Sequence, residues 1–304
     1  MLAAVVLAAA LAAPPPASAG TAAPYPVTYD FLIGAVAAGY PFDADPPGAN
    51  IWTCQPTAQH PRPVVLVHGT FGNKNTNWRT YAPLLANNGY CVYSLTYGVA
   101  PNDPPVLNQL GGRTSIAGSA HELADFVARV LQATGTHKVD IVGHSQGTVV
   151  PEYYAKFLGG AAHIKNYISL APLWHGTKST SGLVQAARVF GVPEDRVPVC
   201  PACAQMDASS DFIRRLRAGG VVLPGITYTN IMTTHDELVK PYTSGREAGM
   251  TNLVVQDFCK QDFTEHFEIA SDPVGAALVL NSLDPAHKRA VPCELVLPFI
   301  GPLG

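Results

Sequence analysis

Apolar residues along this chain form two kinds of pattern, one recurring at helical spacing and the other consisting of short runs typical of buried strands. Ser115 precedes the clearest helical pattern, in which apolar residues return every three or four positions. Such patterns predict four helices, at residues 115–133, 148–158, 210–217 and 273–283. Short β-branched and aromatic runs predict five buried strands, at residues 63–68, 90–97, 139–142, 165–171 and 226–232. Because strands alternate with helices, we expect an α/β fold with a mainly parallel central sheet flanked by helices.

Residues 172–224, between the fourth and fifth predicted strands, depart from this alternation. They contain an apolar patch that consists of Leu183, Val184, Ala187, Val189 and Phe190. Long excursions between the strands of such a sheet often carry function, so we predict a lid-like insertion here. A peripheral helical insertion without a functional role is the alternative.

The first nineteen residues differ in composition from the rest of the chain. Residues 1–13 are almost entirely Ala, Leu and Val, and a small-x-small site ends at Ala19. This arrangement predicts a secretory signal peptide over residues 1–19, although no Lys or Arg precedes the apolar run. A membrane anchor needs about 20 apolar residues, so we expect no stable membrane insertion. Residues 20–304 are then predicted to form a single domain of a secreted, extracellular monomer.

The charge of the chain limits its partners. The net charge is −3 at pH 7, whereas phosphate binding needs a concentrated basic face, so we expect no nucleic-acid partner. Charged residues make up 13% of the chain, compared with about 25% of a typical soluble domain. This low share indicates a surface that tolerates apolar contact.

The chain has six cysteines, an even number that predicts up to three disulfides in an exported protein. Six cysteines allow 15 connectivities. A redox motif or half a zinc site at Cys200-Pro-Ala-Cys203 is disfavoured, because no second cysteine pair is near and exported thiols are normally oxidised. Proximity along the sequence favours the pairs Cys54–Cys91, Cys200–Cys203 and Cys259–Cys293.

A nucleophile motif stands between the third predicted strand and the helix that follows it. The residues Gly143-His144-Ser145-Gln146-Gly147 match Gly-x-Ser-x-Gly, which places a serine on a sharp strand-to-helix turn above a sheet. The helix start also directs free N–H groups toward the reaction centre. We therefore predict that Ser145 is a nucleophile, the alternative being a glycine-rich turn with an incidental serine.

A serine hydroxyl needs a base, and histidine is the usual one. In this strand–turn–helix context the order along the chain is serine, then acid, then histidine. Only His266 and His287 lie beyond every plausible acid that follows Ser145. His266 is favoured because it comes just before the last helix, whereas His287 lies in a charged segment predicted to be exposed.

The acid is expected between Ser145 and His266, at the carboxyl end of a strand. Asp236 directly follows the fifth predicted strand, where it can orient the imidazole and stabilise the imidazolium. We therefore predict Asp236, and a solvated turn carboxylate is the alternative interpretation of it. The competing acids are Asp207, Asp211, Glu237, Asp257, Asp262 and Glu265.

The developing oxyanion needs two backbone N–H donors. One is expected from Gln146, the residue after the nucleophile. The other is expected from the glycine-rich loop after the first strand, where we predict Thr70, with Phe71 as the alternate. Chain order excludes His68 and His144 as the base, so structural roles are predicted for both.

Together these residues resemble the secreted bacterial triacylglycerol lipases of the class 2 lipase family, over about residues 61–283. The shared motifs are Val-Leu-Val-His-Gly-Thr at 65–70, the nucleophile motif, Thr-His-Asp-Glu-Leu-Val-Lys-Pro-Tyr-Thr-Ser at 234–244, and the segment from His266 to residue 274. The resemblance implies an α/β-hydrolase fold and assigns Ser145, Asp236 and His266 as the triad, with Thr70 and Gln146 as oxyanion donors. Many related lipases have an aliphatic residue at the position of Thr70, whereas the oxyanion donor expected there is a backbone N–H.

We therefore expect a secreted lipase or carboxylesterase that hydrolyses acylglycerol-like esters, including substrate at a lipid–water interface. No metal and no organic cofactor is expected. An acyltransferase or a polyester depolymerase would use the same triad. A non-catalytic binding protein of the same fold is the alternative from another class, but such proteins usually lose the nucleophile or the base.

Overall fold

Six parallel strands form the central sheet in the computed structural model of the chain, which describes residues 23–37 and 44–303. The predicted signal peptide lies outside these residues. The order across the sheet is β2-β1-β3-β4-β5-β6, and all five predicted strands are present. The strands are β1 (Val64–Val67), β2 (Val92–Leu95), β3 (Val139–His144), β4 (Ile164–Leu170), β5 (Thr227–Met232) and β6 (Thr251–Val254). A separate antiparallel pair consists of β7 (Val296–Leu297) and β8 (Gly301–Pro302).

Nine α-helices surround or extend the sheet in the described part of the chain. All four predicted helices are present, with ends within two residues of the predicted ones. The helices are α1 (Phe31–Ala37), α2 (Tyr81–Asn87), α3 (Ile116–Thr134), α4 (Val150–Phe157), α5 (Ser181–Val189), α6 (Pro201–Gln205), α7 (Asp211–Arg217), α8 (Val255–Phe258) and α9 (Pro273–Leu283). Within the described residues, none of them is both long and apolar enough to cross a membrane.

Both faces of the sheet are covered, which explains the continuous apolar run of β1. Side chains alternate between the faces along a strand. Val65 and Val67 therefore pack on one side with residues of α3 and α4. Val64 and Leu66 pack on the other side with residues of α2 and α9.

Helix α3 has a defined signal at each end. The Ser115 side chain accepts a hydrogen bond from Gly118 N at 3.2 Å, which satisfies one of the free N–H groups of the first turn. Gly135 ends the helix with a φ of +65°, a left-handed conformation that glycine adopts without steric cost. These local signals place the long helix that packs against β1 and β2.

The excursion between β4 and β5 contains α5, α6 and α7. Its apolar patch divides into two parts, because Val184 and Ala187 are buried while Val189 and Phe190 are 71% and 80% exposed. The structure joins the six cysteines in the same three pairs that sequence proximity favoured, Cys54–Cys91, Cys200–Cys203 and Cys259–Cys293.

Replacement of Ser115 by Ala should lower the free energy of unfolding by about 1 kcal/mol, because the first turn of α3 loses its side-chain acceptor. Ser115→Asp retains an acceptor and should remain close to wild type. Urea denaturation of the three proteins measures the difference. Equal destabilisation by Ala and Asp would contradict a capping role.

Candidate active site

The turn between β3 and α4 holds Ser145 in an unusual backbone conformation. Ser145 has a φ of +54°, which non-glycine residues rarely adopt, and it lies directly after the last residue of β3. A short 3₁₀ turn over residues 145–148 then leads into α4. This is the strand–turn–helix geometry that presents a side chain above the carboxyl end of a sheet.

Two glycines make this turn sterically possible. A Cβ on Gly143 would lie 2.0 Å from the carbonyl oxygen of Gly147, and a Cβ on Gly147 would lie 2.0 Å from the carbonyl oxygen of Val67. Both contacts are with backbone, which cannot rotate away as a side chain can. The glycines of the motif are therefore required by the close approach of the turn to itself and to β1.

The structure brings Ser145, His266 and Asp236 together. His266 Nε2 lies 2.9 Å from Ser145 Oγ, and His266 Nδ1 lies 2.9 Å from each carboxylate oxygen of Asp236. All three residues are buried. With Nδ1–H donating to the carboxylate, Nε2 is free to accept the serine proton, which is the arrangement needed in a base.

Backbone groups hold the carboxylate in place. Asp236 follows β5 after a short loop, and its Oδ1 accepts hydrogen bonds from Val239 N at 2.7 Å and Leu238 N at 3.0 Å. Its neighbour Glu237 makes no hydrogen bond to the imidazole in the described structure but accepts one from His266 N at 3.2 Å. The two adjacent carboxylates therefore orient the side chain and the backbone of the same histidine.

The surroundings of His266 raise its pKa above the ordinary value. Burial by itself lowers this pKa, since it disfavours the charged imidazolium. The charge and hydrogen bond of Asp236, together with the charges of Glu237 and Glu265, act in the opposite direction and prevail. The surrounding carboxylates therefore stabilise the imidazolium that forms when His266 takes up a proton.

The other two buried histidines near the turn are neutral. Burial and the nearby His266 lower the pKa of His144 to about 3, and burial lowers the pKa of His68 to about 4. His144 Nε2 lies 2.8 Å from the carbonyl oxygen of His266, while the ring of His68 stacks on Tyr97 at 4.2 Å. Both rings are therefore engaged with neighbouring groups, and the structural roles of the two histidines stay a prediction.

The loop after β1 lies beside Ser145. Phe71 N already donates to Gly111 O at 2.9 Å, whereas Thr70 N has no hydrogen-bond partner in the described structure. Gln146 N lies in the first turn after β3, where N–H groups lack partners within the helix. The free donors are thus those of Thr70 and Gln146, and Phe71 is occupied elsewhere.

The competing bases and acids have other partners. His287 is exposed and pairs with Asp284 at 3.0 Å. Asp207 accepts hydrogen bonds from Ser181 and Ser209. The remaining acids are also engaged away from the imidazole, with Asp211 beside Arg214, Asp257 beside Lys260, Asp262 accepting from Thr264 N, and Glu265 accepting from Phe267 N and Glu268 N.

An apolar cavity of about 480 Å³ opens beside Ser145. Sequence reasoning did not identify most of its walls, because their contacts with the site join distant segments. Phe31 and Ala35 come from α1, where an apolar run was the only available signal. Met206 and Asn77 gave no signal in the sequence. Other lining residues include Leu173, Thr177, Cys203, Leu238 and Phe267.

The Asn77 side chain joins two parts of the site. Its Oδ1 accepts a hydrogen bond from Gly69 N at 3.2 Å and lies 3.1 Å from His144 Nδ1. It thus links the loop after β1 to the histidine that contacts the His266 backbone. Among the described residues, no group of three or more His, Cys, Asp or Glu side chains is arranged to hold a metal ion.

A parallel sheet that carries serine, carboxylate and histidine in this chain order defines an α/β-hydrolase. The family model for class 2 lipases matches residues 61–278. The chain therefore belongs to the class 2 lipase family.

Solved structures with the same fold include two lipases. Aspergillus fumigatus lipase B is 19% identical, with a TM-score of 0.61 over 82% of this chain and 57% of that one. Mature Bacillus licheniformis lipase BlEst2 is 15% identical, with a TM-score of 0.55 over 81% of this chain and 99% of that one. The chain thus spans little more than half the length of lipase B. At such identities the likeness shows the fold alone.

Replacement of Gly147 by Ala should destabilise the protein by about 3 kcal/mol or more, because the new Cβ collides with backbone. Gly182→Ala is the matched control, since its Cβ meets nothing within 4 Å and Ala favours helix α5 by up to about 1 kcal/mol. Thermal unfolding followed by circular dichroism measures both. A Gly147→Ala protein as stable as the Gly182→Ala protein would contradict the steric argument.

Proposed function

We propose that this chain is a serine hydrolase that cleaves carboxylic esters of lipid-like acids with Ser145, Asp236 and His266 as its triad. The observation that supports this most strongly is the position of His266, whose two ring nitrogens lie 2.9 Å from the serine hydroxyl and from the carboxylate. Nucleophile, base and orienting acid are thus within hydrogen-bond distance in one buried site.

In the first half of the reaction, Ser145 Oγ attacks the acyl carbonyl carbon while His266 Nε2 takes the hydroxyl proton. The Asp236 carboxylate stabilises the resulting imidazolium. The N–H groups of Thr70 and Gln146 donate hydrogen bonds to the oxyanion of the tetrahedral intermediate. These hydrogen bonds strengthen as negative charge develops on the oxygen. When this intermediate collapses, the imidazolium gives its proton to the leaving alcohol, and the acyl group stays on Ser145.

In the second half, water replaces the alcohol. His266 Nε2 takes a proton from the water as its oxygen attacks the acyl-enzyme carbonyl, and the same two N–H groups hold the second oxyanion. Collapse returns the proton to Ser145 Oγ and releases the carboxylic acid. The imidazole is therefore restored to its neutral form at the end of each cycle.

The cavity supports an apolar ester as the substrate. Its lining is predominantly apolar, and its volume of about 480 Å³ falls within the range of sites for small organic ligands. Residues of the excursion between β4 and β5, including Thr177, Cys203 and Met206, form part of the wall. We therefore propose that residues 172–224 act as a lid-like insertion of a single hydrolase domain formed by residues 20–304.

The surface and the cysteines support an extracellular protein that works near lipid. Val189 and Phe190 on this insertion are exposed, and so is Phe71 at the cavity. Six of six cysteines are paired, which is typical of exported proteins. We propose that the chain is secreted as a monomer, after removal of residues 1–19, and acts on ester substrate including that at a lipid–water interface.

Replacement of Ser145 by Ala should lower kcat/KM for p-nitrophenyl esters by at least ~10³-fold, a loss of the size expected for a triad nucleophile. Ser282→Ala, on α9 and outside the cavity, is the matched control and should stay within about twofold of wild type. Initial rates on C2 to C16 esters measure the effect.

Other results of this experiment would contradict the proposal in distinct ways. A folded wild type that cleaves none of the esters would favour a binding protein with the hydrolase fold. Release of p-nitrophenol only in the presence of an alcohol acceptor would favour an acyltransferase.

The acid limb of kcat/KM should have its midpoint above the ordinary histidine pKa of about 6.5. His266 must be neutral to accept the serine proton, and its raised pKa keeps it protonated to higher pH, so activity falls earlier as the pH drops. Rates from pH 5 to 9 measure this midpoint. His287→Ala should leave the midpoint unchanged, and a shift in that variant would indicate that the wrong histidine has been assigned.

A further inference from the structure

The Cys200–Cys203 disulfide comes from a Cys-Pro-Ala-Cys motif that the proposed ester hydrolysis does not use. It also differs from the other two disulfides in its place. Cys203 lines the cavity beside Ser145, whereas no cysteine of the Cys54–Cys91 or Cys259–Cys293 pair does so. The disulfide therefore forms part of one wall of the proposed substrate cavity. This wall, which consists of Cys203 and Met206, is called the α6 wall below.

Helix α6, which carries this link, is too short to be stable by itself. It has five residues, and isolated helices of that length do not form in water because nucleation is costly. Cys200 serves as its N-cap, with Sγ accepting a hydrogen bond from Cys203 N at 3.2 Å. The preceding Val199 has a φ of +68°, which a β-branched residue adopts only where neighbouring contacts hold it. The disulfide therefore contributes to holding α6 in place.

Met206, at the carboxyl end of α6, extends this wall toward Thr70 and Gln146, the proposed oxyanion donors. Its Sδ lies 3.8 Å from Thr70 Oγ1 and 3.9 Å from Gln146 Nε2, and its carbonyl oxygen accepts a hydrogen bond from Thr177 N at 2.9 Å. The sulfur thus touches side chains of both residues whose N–H groups would hold the oxyanion. Its position depends on α6, because Met206 N donates to Ala202 O within that helix turn.

The direction of the acyl chain follows from the chemistry of the leaving group. The leaving oxygen must lie near His266 Nε2, because that atom supplies its proton. The acyl chain then extends from the carbonyl carbon away from the imidazole. Among the described residues, the hydrogen bonds and aromatic contacts of the His266 side chain are with Ser145, Asp236, His144 and Phe267, and none is with α6. The α6 wall thus lies on the acyl side.

We propose that Cys203 and Met206 form the wall that selects the acyl chain, and that the Cys200–Cys203 disulfide positions this wall. This inference rests on the proposed ester hydrolysis, since it concerns the same cavity. It assigns to Met206 and Cys203 direct contact with methylene groups of a linear medium or long acyl chain. Cys200 is a positioning residue, because it acts through α6.

Two kinds of variant test the wall. Met206→Ala removes the contact without touching the disulfide, and Met206→Leu retains an apolar side chain of similar size. Cys200→Ser with Cys203→Ser removes the disulfide but leaves Met206. Cys54→Ser with Cys91→Ser is the matched control, because it removes a disulfide that does not line the cavity. Circular dichroism establishes which variants are folded, and the Met206 pair keeps the test available if the cysteine variants do not fold.

The first readout is kcat/KM for p-nitrophenyl esters from C2 to C16. In Met206→Ala and in Cys200→Ser with Cys203→Ser, the loss should grow with chain length and reach roughly tenfold, mainly through KM, as expected for lost methylene contacts. Met206→Leu should retain most of the wild-type kcat/KM for the long esters. The control should lower the melting temperature without changing the order of preference. A loss equal at all lengths, or an unchanged profile, would overturn the proposal.

The second readout needs no turnover. The Kd of dodecanoate, measured by calorimetry in the Ser145→Ala background, should rise roughly tenfold with Met206→Ala and with the double Cys200 and Cys203 change, but not with the control. An unchanged Kd would overturn the proposal that Cys203 and Met206 contact the acyl chain, even if the wild type cleaves esters. A wild type that cleaves no ester, with the same rise in Kd, overturns the proposed hydrolysis and supports the wall.

Discussion

Gly147 packs its backbone against the carbonyl group of Val67, where any side chain on this glycine would collide. The contact joins the two segments on which the proposed chemistry depends. Strand β1 continues past Val67 into the loop of Thr70, and β3 continues past Gly143 into Ser145, while Val67 and Gly143 are paired in the sheet. A shift of one strand would therefore move the nucleophile relative to the oxyanion donors. The unusual φ of Ser145 is maintained by this packing.

Electrostatics at the site follow from a balance between burial and charge. An isolated buried imidazolium would be costly, and burial alone lowers the pKa of His266. Three carboxylates, from Asp236, Glu237 and Glu265, reverse that direction. His144 is held neutral beside it, which avoids a second positive charge while its ring contacts the His266 backbone. The proposed base thus sits where a proton can be accepted and then returned.

The cavity is assembled from segments that are far apart along the chain. Helix α1 contributes Phe31, the excursion after β4 contributes Cys203 and Met206, and the loop after β5 contributes Leu238. Of these segments, the loop after β5 also carries Asp236, whereas α1 and the excursion after β4 carry no residue of the proposed triad. The division allows the substrate-contacting walls to differ between relatives while the reacting groups keep their geometry, since function on such folds lies in loops around a rigid scaffold.

The sequence by itself determined the features that are encoded within a few neighbouring residues. Examples are the apolar run of β3, the glycines around Ser145 and the helical period of α3. The order of residues along the chain also reduced the candidates for the base to His266 and His287. Strand β6 was missed, because Thr-Asn-Leu-Val is a half-polar edge strand without an apolar run. Only the tertiary structure placed Asn77 and Met206 at the site and showed Phe71 N already donating to Gly111 O. Those contacts join residues tens of positions apart, and they form only when separate segments pack together.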